Sequence, residues 1–432
     1  MEESGCCKFY SQCRDILREE LIPAMGCTEP IAIALCAAKA RDVLGEMPQE
    51  VEVEASGSII KNVKSVIVPH TDHMRGIDTA AAVGIVGGKA EKMLNVLADV
   101  TPKEQEMIKL FLAQVPIKTS YAKDGRVFDI IVTVKAQRGD GEGHYAKVRI
   151  VDYHTNIVHI EKDGEVLLDK SPDDGGAAPI TDRSILSVEK IWDFAMNSEV
   201  EKMKLILDPQ IKYNMAISEE GLKNDYGANI GKTLLAIYGD KDIKVRARAA
   251  AAAGSDARMN GCEMPVIINS GSGNQGMTAS VPVITYAREL GVEDEKMYRA
   301  LALSNLIAIH QKTGIGTLSA YCGAMSAGIG AGCGIAYLLG GDLKAIKHTL
   351  INAVVTVSGI ICDGAKASCA SKIATAVEAG INGYYMYLNG NNFNPGDGIV
   401  GKDVEDTIRN VGKLASEGMK DTNDTIIDIM IK

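Results

Sequence analysis

The chain has 432 residues, of which 46% are hydrophobic and 24% charged, a balance typical of a globular protein large enough for two or three domains. Its net charge of -10, without any run of Lys or Arg, argues against nucleic acid or an anionic membrane as a partner. The first 21 residues mix both charge signs without an apolar segment, so we expect no signal or transit peptide and a cytoplasmic location.

The first predicted elements place a cysteine at the start of a helix. An amphipathic helix is predicted from Tyr10 to Leu21, and a second helix covers Ile31 to Leu44 after Thr28 as its N-cap. Cys27 then lies just before the helix N-terminus, where backbone N–H groups and the helix dipole favour a thiolate or an anionic cluster. The alternative is a small buried residue in a tight turn.

Alternating hydrophobicity then predicts a sheet with two helices. The predicted strands are residues 51–60, 65–70, 127–136, 145–153 and 156–166, and the predicted helices are residues 79–97 and 103–115. A Gly-rich stretch at residues 171–179 is the best linker in the sequence, and the pattern after Asp182 is almost entirely helical. We therefore expect an α+β protein with three parts: N-terminal helices (1–48) that join the catalytic domain, an α+β domain (49–180), and a helical domain (181–432).

Two loops at strand ends of the predicted sheet carry polar groups, since functional residues tend to lie in loops. One loop runs from Ser56 to Asn62, and the other contains His70 and His73, three residues apart. Such groups can bind a carboxylate or move a proton, although a solvated polar loop is an equal alternative. His144, His154 and His159 fall in the predicted strand pair and are expected to be surface or pairing residues.

A Gly-rich loop, NSGSGNQG, lies within the predicted helical domain. Its spacing Gly271-x-Gly273-x-x-Gly276 is formally a dinucleotide fingerprint, but no βαβ unit follows and Pro282 should interrupt the receiving helix. The loop also resembles those of pyridoxal-phosphate enzymes, but no local pattern singles out a Schiff-base lysine. We expect its neutral side chains to bind the carboxylate and ammonium of an amino acid: Asn269, Ser270, Ser272, Asn274 and Gln275.

The stretch from Thr313 to Ala374 carries four of the ten cysteines, and from Thr313 to Gly341 it has no charged residue. Its Gly, Ala and Ser content indicates a buried helical floor and not a membrane span, because flanking anchors are poor. We expect Asp363 to cap the helix that follows, so that Cys362, like Cys27, precedes a helix N-terminus. Cys333 and Cys369 are expected to pack as small apolar residues.

Taken together, AMGCTEP at residues 24–30, the NSGSGNQG loop, SGIICDGAKASCASKIA and the spacing of 40 positions from Cys322 to Cys362 resemble the L-cysteine desulfidase family, relatives of the iron-sulfur L-serine dehydratases. The resemblance covers nearly the whole chain. It implies a [4Fe-4S] cluster held by Cys27, Cys322 and Cys362, with the fourth iron open to substrate. PHTDH, at residues 69–73, does not match the family pattern, so the proton-handling residues are not identified by it.

The chemistry implied by this resemblance is α,β-elimination of L-cysteine to pyruvate, ammonia and hydrogen sulfide. The candidate substrate-binding residues are Asn62 and the polar side chains of the Gly-rich loop. The candidates for the base that removes the Cα proton are His73, His70, His310 and Lys366, and the sequence selects none of them.

Three alternatives stay open: an iron-sulfur L-serine dehydratase, a pyridoxal-phosphate-dependent amino-acid lyase, and a non-catalytic cluster or thiol sensor. In the first two, as in the leading interpretation, the partner is a small amino acid, and a homo-oligomer is compatible with the sequence.

Overall fold

The computed structural model describes residues 5–122, 126–137, 143–171, 181–316 and 318–431. Its N-terminal part alternates helices and strands as an α+β fold requires. The elements are α1 Gly5–Glu20, β1 Pro23–Met25, α2 Thr28–Leu44, β2 Glu50–Ala55, α3 Gly57–Val63, α4 Ile77–Gly87, α5 Pro102–Gln114, β3 Ile117–Tyr121, β4 Asp129–Gln137, β5 Gly143–Val151, β6 Ile157–Lys162 and β7 Glu165–Asp169.

Six of these strands form a mixed sheet in the order β3-β2-β4-β5-β6-β7. β2 and β3 pair in parallel, because the chain crosses over through α3, α4 and α5 between them, and all other neighbours are antiparallel. Along β4, Ile130, Val132 and Val134 are buried, and the residues between them are partly exposed. This period of two presents one apolar face, against which α2 packs.

The rest of the described chain is almost entirely helical. Its elements are α6 Val188–Asn197, α7 Val200–Lys223, α8 Ile230–Tyr238, α9 Ile243–Met259, β8 Pro265–Ile267, α10 Gly273–Glu289, α11 Asp294–Ile315, α12 Gly323–Leu338, α13 Leu343–Val357, α14 Cys369–Leu388, α15 Val404–Lys413 and α16 Lys420–Ile431. The α+β class predicted from the sequence is therefore confirmed.

Helix α12 lies at the centre of the helical part and is the buried floor that its uncharged sequence predicted. It packs against α10, α11, α13 and α14. Small residues allow this close packing: a Cβ on Gly332 would lie 2.5 Å from the backbone of Gly380 in α14, and one on Gly330 would lie 2.4 Å from the carbonyl oxygen of Ser304 in α11. These helices approach backbone to backbone, which fixes the position of the residues at their ends.

Several local predictions are wrong. Residues 56–62, predicted to end a strand and form a loop, are helical in α3, because the Ser56 side chain accepts a hydrogen bond from the Ile59 N–H and caps the helix. Residues 65–70 form no strand, and only an isolated bridge joins Ile67 to Arg75. Helix α10 continues through Pro282, where an interruption was expected; it is buried along nearly its whole length, and packing outweighs the lost hydrogen bond.

The first two helices pack in different places: α1 contacts the helical part, and α2 contributes to the core beneath the sheet. The domain boundaries and the cytoplasmic location stay predictions. The predicted linker at residues 171–179 lies outside the described residues, apart from Ser171. Within the described ranges, none of the helices combines the length and the apolar character needed to cross a membrane.

A buried carboxylate outside any cavity offers a test of this packing. Asp256 in α9 is 1% exposed, and its Oδ2 accepts a hydrogen bond of 2.9 Å from the Gly231 N–H at the start of α8, whereas Oδ1 has no partner. Burial raises the pKa of Asp256 from 3.8 to about 6. Because the folded-state pKa is the higher one, the folded protein loses stability as the pH rises from about 4 to 6.

We expect Asp256→Asn to stabilise the protein at pH 7 by about 1–2 kcal/mol, since the amide keeps the acceptor oxygen and removes the buried charge. The gain should vanish near pH 3, below both pKa values, where the wild-type carboxyl is protonated in the folded and the unfolded state. Denaturant unfolding at the two pH values measures it. Asp225→Asn is the control: Asp225 is exposed and its pKa is lowered by Lys232, so that variant should gain nothing.

Candidate active site

A cavity of about 400 Å³ lies where the sheet part meets the helical part. Its walls come from the start of α2, the turn between β5 and β6, the Gly-rich loop with the start of α10, the end of α11, the start of α12 and the segment 362–369. Cys27, Cys322 and Cys362 all line it. Three thiols that are far apart in the sequence thus face one enclosed space.

Cys27 reaches the cavity through a short antiparallel ribbon. β1 pairs with β8, so the chain just before Cys27 runs beside the chain that leads into the Gly-rich loop. Gly26 between β1 and Cys27 has φ +64°, and a Cβ there would lie 2.4 Å from Pro69, so glycine is required. The Thr28 hydroxyl then donates a hydrogen bond of 3.1 Å to the Gly271 carbonyl, which joins α2 to the loop.

Cys322 and Cys362 are brought together by a second antiparallel contact. Tyr321 and Ile361 form an isolated bridge, in which the Cys322 N–H donates to the Ile360 carbonyl (3.1 Å) and the Cys362 N–H donates to the Ala320 carbonyl (2.6 Å). The two thiols lie side by side and interact directly. Backbone hydrogen bonds therefore set the relative position of these two sulfurs before any ligand binds.

Three helices begin at the cavity wall. Cys27 is the N-cap of α2, Cys322 is the N-cap of α12, and Ser272 is the N-cap of α10. Each helix N-terminus carries about half a positive charge, which stabilises an anionic group placed before it. Cys27 was predicted to lie just before the N-cap of α2, with Thr28 as the cap. In the structure Cys27 is itself the N-cap, one residue earlier than predicted.

The expectation that Cys362 directly precedes a helix N-terminus is wrong. The helix that follows it begins only at Cys369, with Ser368 as the N-cap, and the Asp363 carboxylate pairs with Lys372. Cys362 lies in an irregular segment, and the second cysteine before a helix N-terminus is Cys322.

The thiols differ in how readily they lose a proton. Burial raises the pKa of Cys27 to about 12, and the nearby Arg258 only partly counters this. Between the adjacent thiols, the hydrogen bond from Cys322 lowers the pKa of Cys362 and raises that of Cys322. The buried Lys61, whose Nζ donates to Asn423 Oδ1 at 2.7 Å, lowers the pKa of Cys362 further. The thiolate is therefore favoured at Cys362 first.

A fourth cysteine also lines the cavity. Cys369, expected to be a packing residue, is at the first position of α14, and its charge interacts with those of Cys27, Cys322 and Cys362. Its sulfur donates to the Gly364 carbonyl at 3.6 Å. The choice of Cys27, Cys322 and Cys362 as the ligand set rests on the resemblance of their motifs and stays a prediction.

The polar residues of the Gly-rich loop divide into two groups. Ser270, Ser272, Asn274 and Gln275 line the cavity as the sequence analysis expected, and so does Asn62. Asn269 does not line it: its Nδ2 donates to Asn305 Oδ1 at 2.9 Å and holds the loop in place. Their roles in substrate binding stay predictions.

Two buried cations face the same cavity and were not found from the sequence. Arg258 donates to the Gly26 carbonyl at 2.6 Å and to Asn274 Oδ1 at 3.2 Å, and its Nε has no partner in the part of the chain that the structure describes. Lys312 near the end of α11 is 9% exposed, and its Nζ donates to the Gly316 carbonyl. Burial lowers the pKa of Lys312 from 10.5 to about 8, so it is mostly charged at neutral pH.

Further polar atoms in the cavity wall are buried and have no hydrogen-bond partner among the described residues: Asn62 Oδ1, Tyr321 Oη and His154 Nε2. Asn62 Nδ2 donates to Glu29 Oε1 at 2.9 Å, which turns its oxygen toward other partners. Such unsatisfied groups are rare in native interiors and indicate a site for a polar ligand. Hydrophobic periodicity did not predict that these atoms are buried, because their burial depends on contacts between elements that are distant in the sequence.

The four residues predicted as bases lie outside the cavity lining. His70 Nδ1 is 3.3 Å from Glu263 Oε2, and His310 Nε2 is 2.8 Å from Glu405 Oε2. Lys366 Nζ is 4.0 Å from Met430 Sδ, and His73 packs beside Gly261. Their catalytic roles stay predictions, and the geometry brings none of them to the thiols.

The donor set fits an iron-sulfur cluster better than a single ion. Across the described ranges, no three His, Cys, Asp or Glu side chains are grouped closely enough to hold one metal ion. A cluster sets no such requirement, since each thiolate binds a different iron. Soft thiolates suit iron-sulfur chemistry, and the cavity has room for a polar ligand beside them.

Comparisons with known proteins agree with a lyase site. A family model described as the serine dehydratase alpha chain matches residues 91–428, which include Cys322 and Cys362 but not Cys27. A UPF0597 protein of Desulfitobacterium hafniense (strain Y51) is 55% identical over 98% of this chain and 97% of the relative. One from Lachnoclostridium phytofermentans is 53% identical (98% and 100%), and one from Bacteroides thetaiotaomicron is 38% identical (96% and 96%).

Proposed function

The chain belongs to the serine dehydratase alpha chain family, a membership that indicates a serine dehydratase-like lyase, and on this premise we propose an iron-sulfur-dependent lyase that eliminates hydrogen sulfide from L-cysteine. The observation that carries the proposal is the meeting of Cys27, Cys322 and Cys362 at one cavity with unsatisfied polar atoms in its wall. A packing role for the three cysteines would not require a shared cavity.

Cys27, Cys322 and Cys362 would hold a [4Fe-4S] cluster through three of its irons. When bound, the cluster supplies a Lewis acid at its fourth iron, which polarises the substrate and stabilises the leaving group. The helix N-termini at Cys27 and Cys322 stabilise the negative charge of the thiolates. Lys312 adds a full positive charge near Cys362 and Cys322.

The remaining wall groups suit the two charged ends of an amino acid. Arg258, with its unpartnered Nε, and the N-terminus of α10 favour the carboxylate. Asn62 Oδ1 and the neighbouring Glu29 carboxylate accept hydrogen bonds, so they favour the ammonium group. Held at both ends, the substrate presents its Cα–H bond and its β-substituent in a fixed orientation, which accounts for much of the rate in such reactions.

The elimination needs only one proton transfer from carbon. A base takes the Cα proton, the C–H electron pair forms the Cα=Cβ bond, and the Cβ–S bond breaks as sulfur leaves with its electron pair. The enamine product tautomerises and hydrolyses to pyruvate and ammonia.

L-Serine is the second candidate substrate, and the family match favours it. It differs from cysteine only in its β-leaving group, hydroxide in place of hydrosulfide. L-Cysteine leads because AMGCTEP and ICDGAK resemble the desulfidase sequences.

Anaerobic reconstitution with iron and sulfide tests the proposal. The expected result is a brown protein with about four irons per chain that releases sulfide and pyruvate from L-cysteine faster than pyruvate from L-serine. Faster turnover of serine would make the protein a serine dehydratase. A visible absorbance band removed by borohydride would instead indicate a pyridoxal-phosphate Schiff base, for which the buried Lys312 is the available amine.

A further inference from the structure

One histidine of the chain faces the cavity. All seven histidines lie in the described part of the chain, and of these only His154 lines the cavity. It lies in the turn between β5 and β6, where a surface or pairing role was expected. The other two histidines of this strand pair do form pairs: His144 pairs with Glu46, and His159 pairs with Glu161 and Asp169.

The His154 ring is held between two elements. It packs edge-on against Phe128, with ring centroids 4.9 Å apart and an interplanar angle of 73°. On another side, a Cβ on Gly271 would lie 3.5 Å from His154 Cε1, so the ring approaches the Gly-rich loop closely. Contacts with an aromatic ring and with backbone restrict the imidazole to one orientation, as a group that must meet a substrate atom requires.

His154 Nε2 is inaccessible to solvent and has no hydrogen-bond partner within the described chain. Burying a polar nitrogen without a partner costs free energy, so a ligand in the cavity would supply what the protein does not. Burial also lowers the pKa of His154, although the Glu29 carboxylate partly counters this. A neutral imidazole has a free lone pair on one ring nitrogen, which is the form that accepts a proton.

Three other charged groups of the cavity are less suited to take a proton from carbon. Lys312 is mostly charged at neutral pH and its Nζ donates to the Gly316 carbonyl. Glu29 is already engaged by Asn62. The guanidinium of Arg258 carries only N–H donors and has no acceptor atom.

We propose that His154 is the catalytic residue that removes the Cα proton of the amino-acid substrate through Nε2, an inference that rests on the proposed lyase function. The Nε2 lone pair accepts the proton, the C–H electrons form the Cα=Cβ bond, and the leaving group departs with the electrons of its bond to Cβ. The imidazolium then returns its proton to the departing hydrosulfide, which gives hydrogen sulfide and a neutral His154. The same transfer to hydroxide would give water with serine.

The test compares anaerobically reconstituted His154→Gln and His159→Gln with the wild type. Glutamine keeps the size and polarity of histidine but cannot accept a proton at neutral pH. We expect His154→Gln to lose at least about 100-fold in kcat, with KM for L-cysteine within about threefold and iron content unchanged. His159→Gln, on the outer side of the same strand pair, should keep wild-type kcat and KM.

A second variant covers the case in which glutamine disturbs the turn. In His154→Ala, added imidazole should restore part of kcat, because a free base can enter the space that the side chain leaves. If His154 only held the turn in place, added imidazole would not restore kcat in His154→Ala.

The result that overturns the base assignment is a His154→Gln kcat within about threefold of an active wild type, or an equal loss of iron and kcat. If the wild type itself releases no pyruvate from L-cysteine or L-serine, the proposed function fails, and the base assignment fails with it.

Discussion

Replacing any one of Cys27, Cys322 and Cys362 with alanine should abolish lyase activity and lower the bound iron below four atoms per chain. Each substitution leaves one iron without a protein ligand, and an iron-sulfur cluster with two thiolates is readily lost. The expected fall in kcat is at least about 1000-fold, the scale of losing the group that stabilises the leaving group. Iron and sulfide analysis with the visible spectrum, after anaerobic reconstitution, measures the loss of the cluster separately from activity.

Cys333→Ala is the matched control. Cys333 lies on the same helix as Cys322 and is fully buried, but it does not line the cavity, and its sulfur points toward the Ile346 carbonyl at 3.9 Å. Removing this sulfur should cost about 1 kcal/mol of stability and leave the iron content unchanged. Full iron occupancy in Cys27→Ala, or an equal iron loss in Cys333→Ala, would contradict the ligand assignment.

Lys312→Met should lower cluster occupancy and reduce kcat by about 10–100-fold, because it removes the buried cation whose charge interacts with Cys362 and Cys322. Methionine nearly matches the length of lysine and leaves little empty space. The same variant should make the cluster-free protein more stable at pH 7, by about 2 kcal/mol, since a desolvated ammonium is replaced by an apolar group. A gain in stability with a loss of function separates an electrostatic role from a structural one.

The pH dependence of that gain has a definite sign. The pKa of Lys312 is about 8 in the folded protein and 10.5 unperturbed, so its charge destabilises the folded state below pH 8 and this cost disappears between pH 8 and 10.5. The advantage of Lys312→Met over the wild type should therefore shrink across this range. Chemical denaturation of both cluster-free proteins at pH 7, 9 and 10.5 measures it.

Lys296→Met serves as the control for Lys312→Met. Its Nζ also donates to a carbonyl at a helix end, that of Leu338 at 2.9 Å, but it lies outside the cavity lining. Its iron content and kcat should match the wild type. Equal iron occupancy in Lys312→Met and Lys296→Met would show that the cavity does not use the charge of Lys312.

Local sequence signals predicted those parts of the fold that depend on local interactions. Helix α5 begins at Pro102, one residue from the predicted start, and Thr101 forms a capping box with Glu104. The strands β4 and β5 follow the alternation of their apolar residues, which one buried face imposes. In each case the pattern and the structure depend on residues within a few positions of one another, so no tertiary information was needed.

Predictions failed where tertiary contacts compete with local preference. Helix α10 passes through Pro282 because neighbouring helices enclose it, and the three-residue strand β1, which was not predicted, exists only through its pairing with β8. Cys322 caps α12 at a position set by the bridge between Tyr321 and Ile361. Neither the pairing of β1 with β8 nor the bridge between Tyr321 and Ile361 produces a periodic pattern in the sequence.

The sequence by itself determined the α+β class and the uncharged helical floor, and it singled out Cys27, Cys322 and Cys362, whose role as cluster ligands stays a prediction. Only the tertiary structure decided that His154 and Lys312 share the cavity with these cysteines, while His70, His73, His310 and Lys366 do not line it. The physical reason is that burial and electrostatic environment arise from packing between the sheet and the helices. The same residue type therefore becomes a surface ion pair at His159 and an unpartnered group in a cavity at His154.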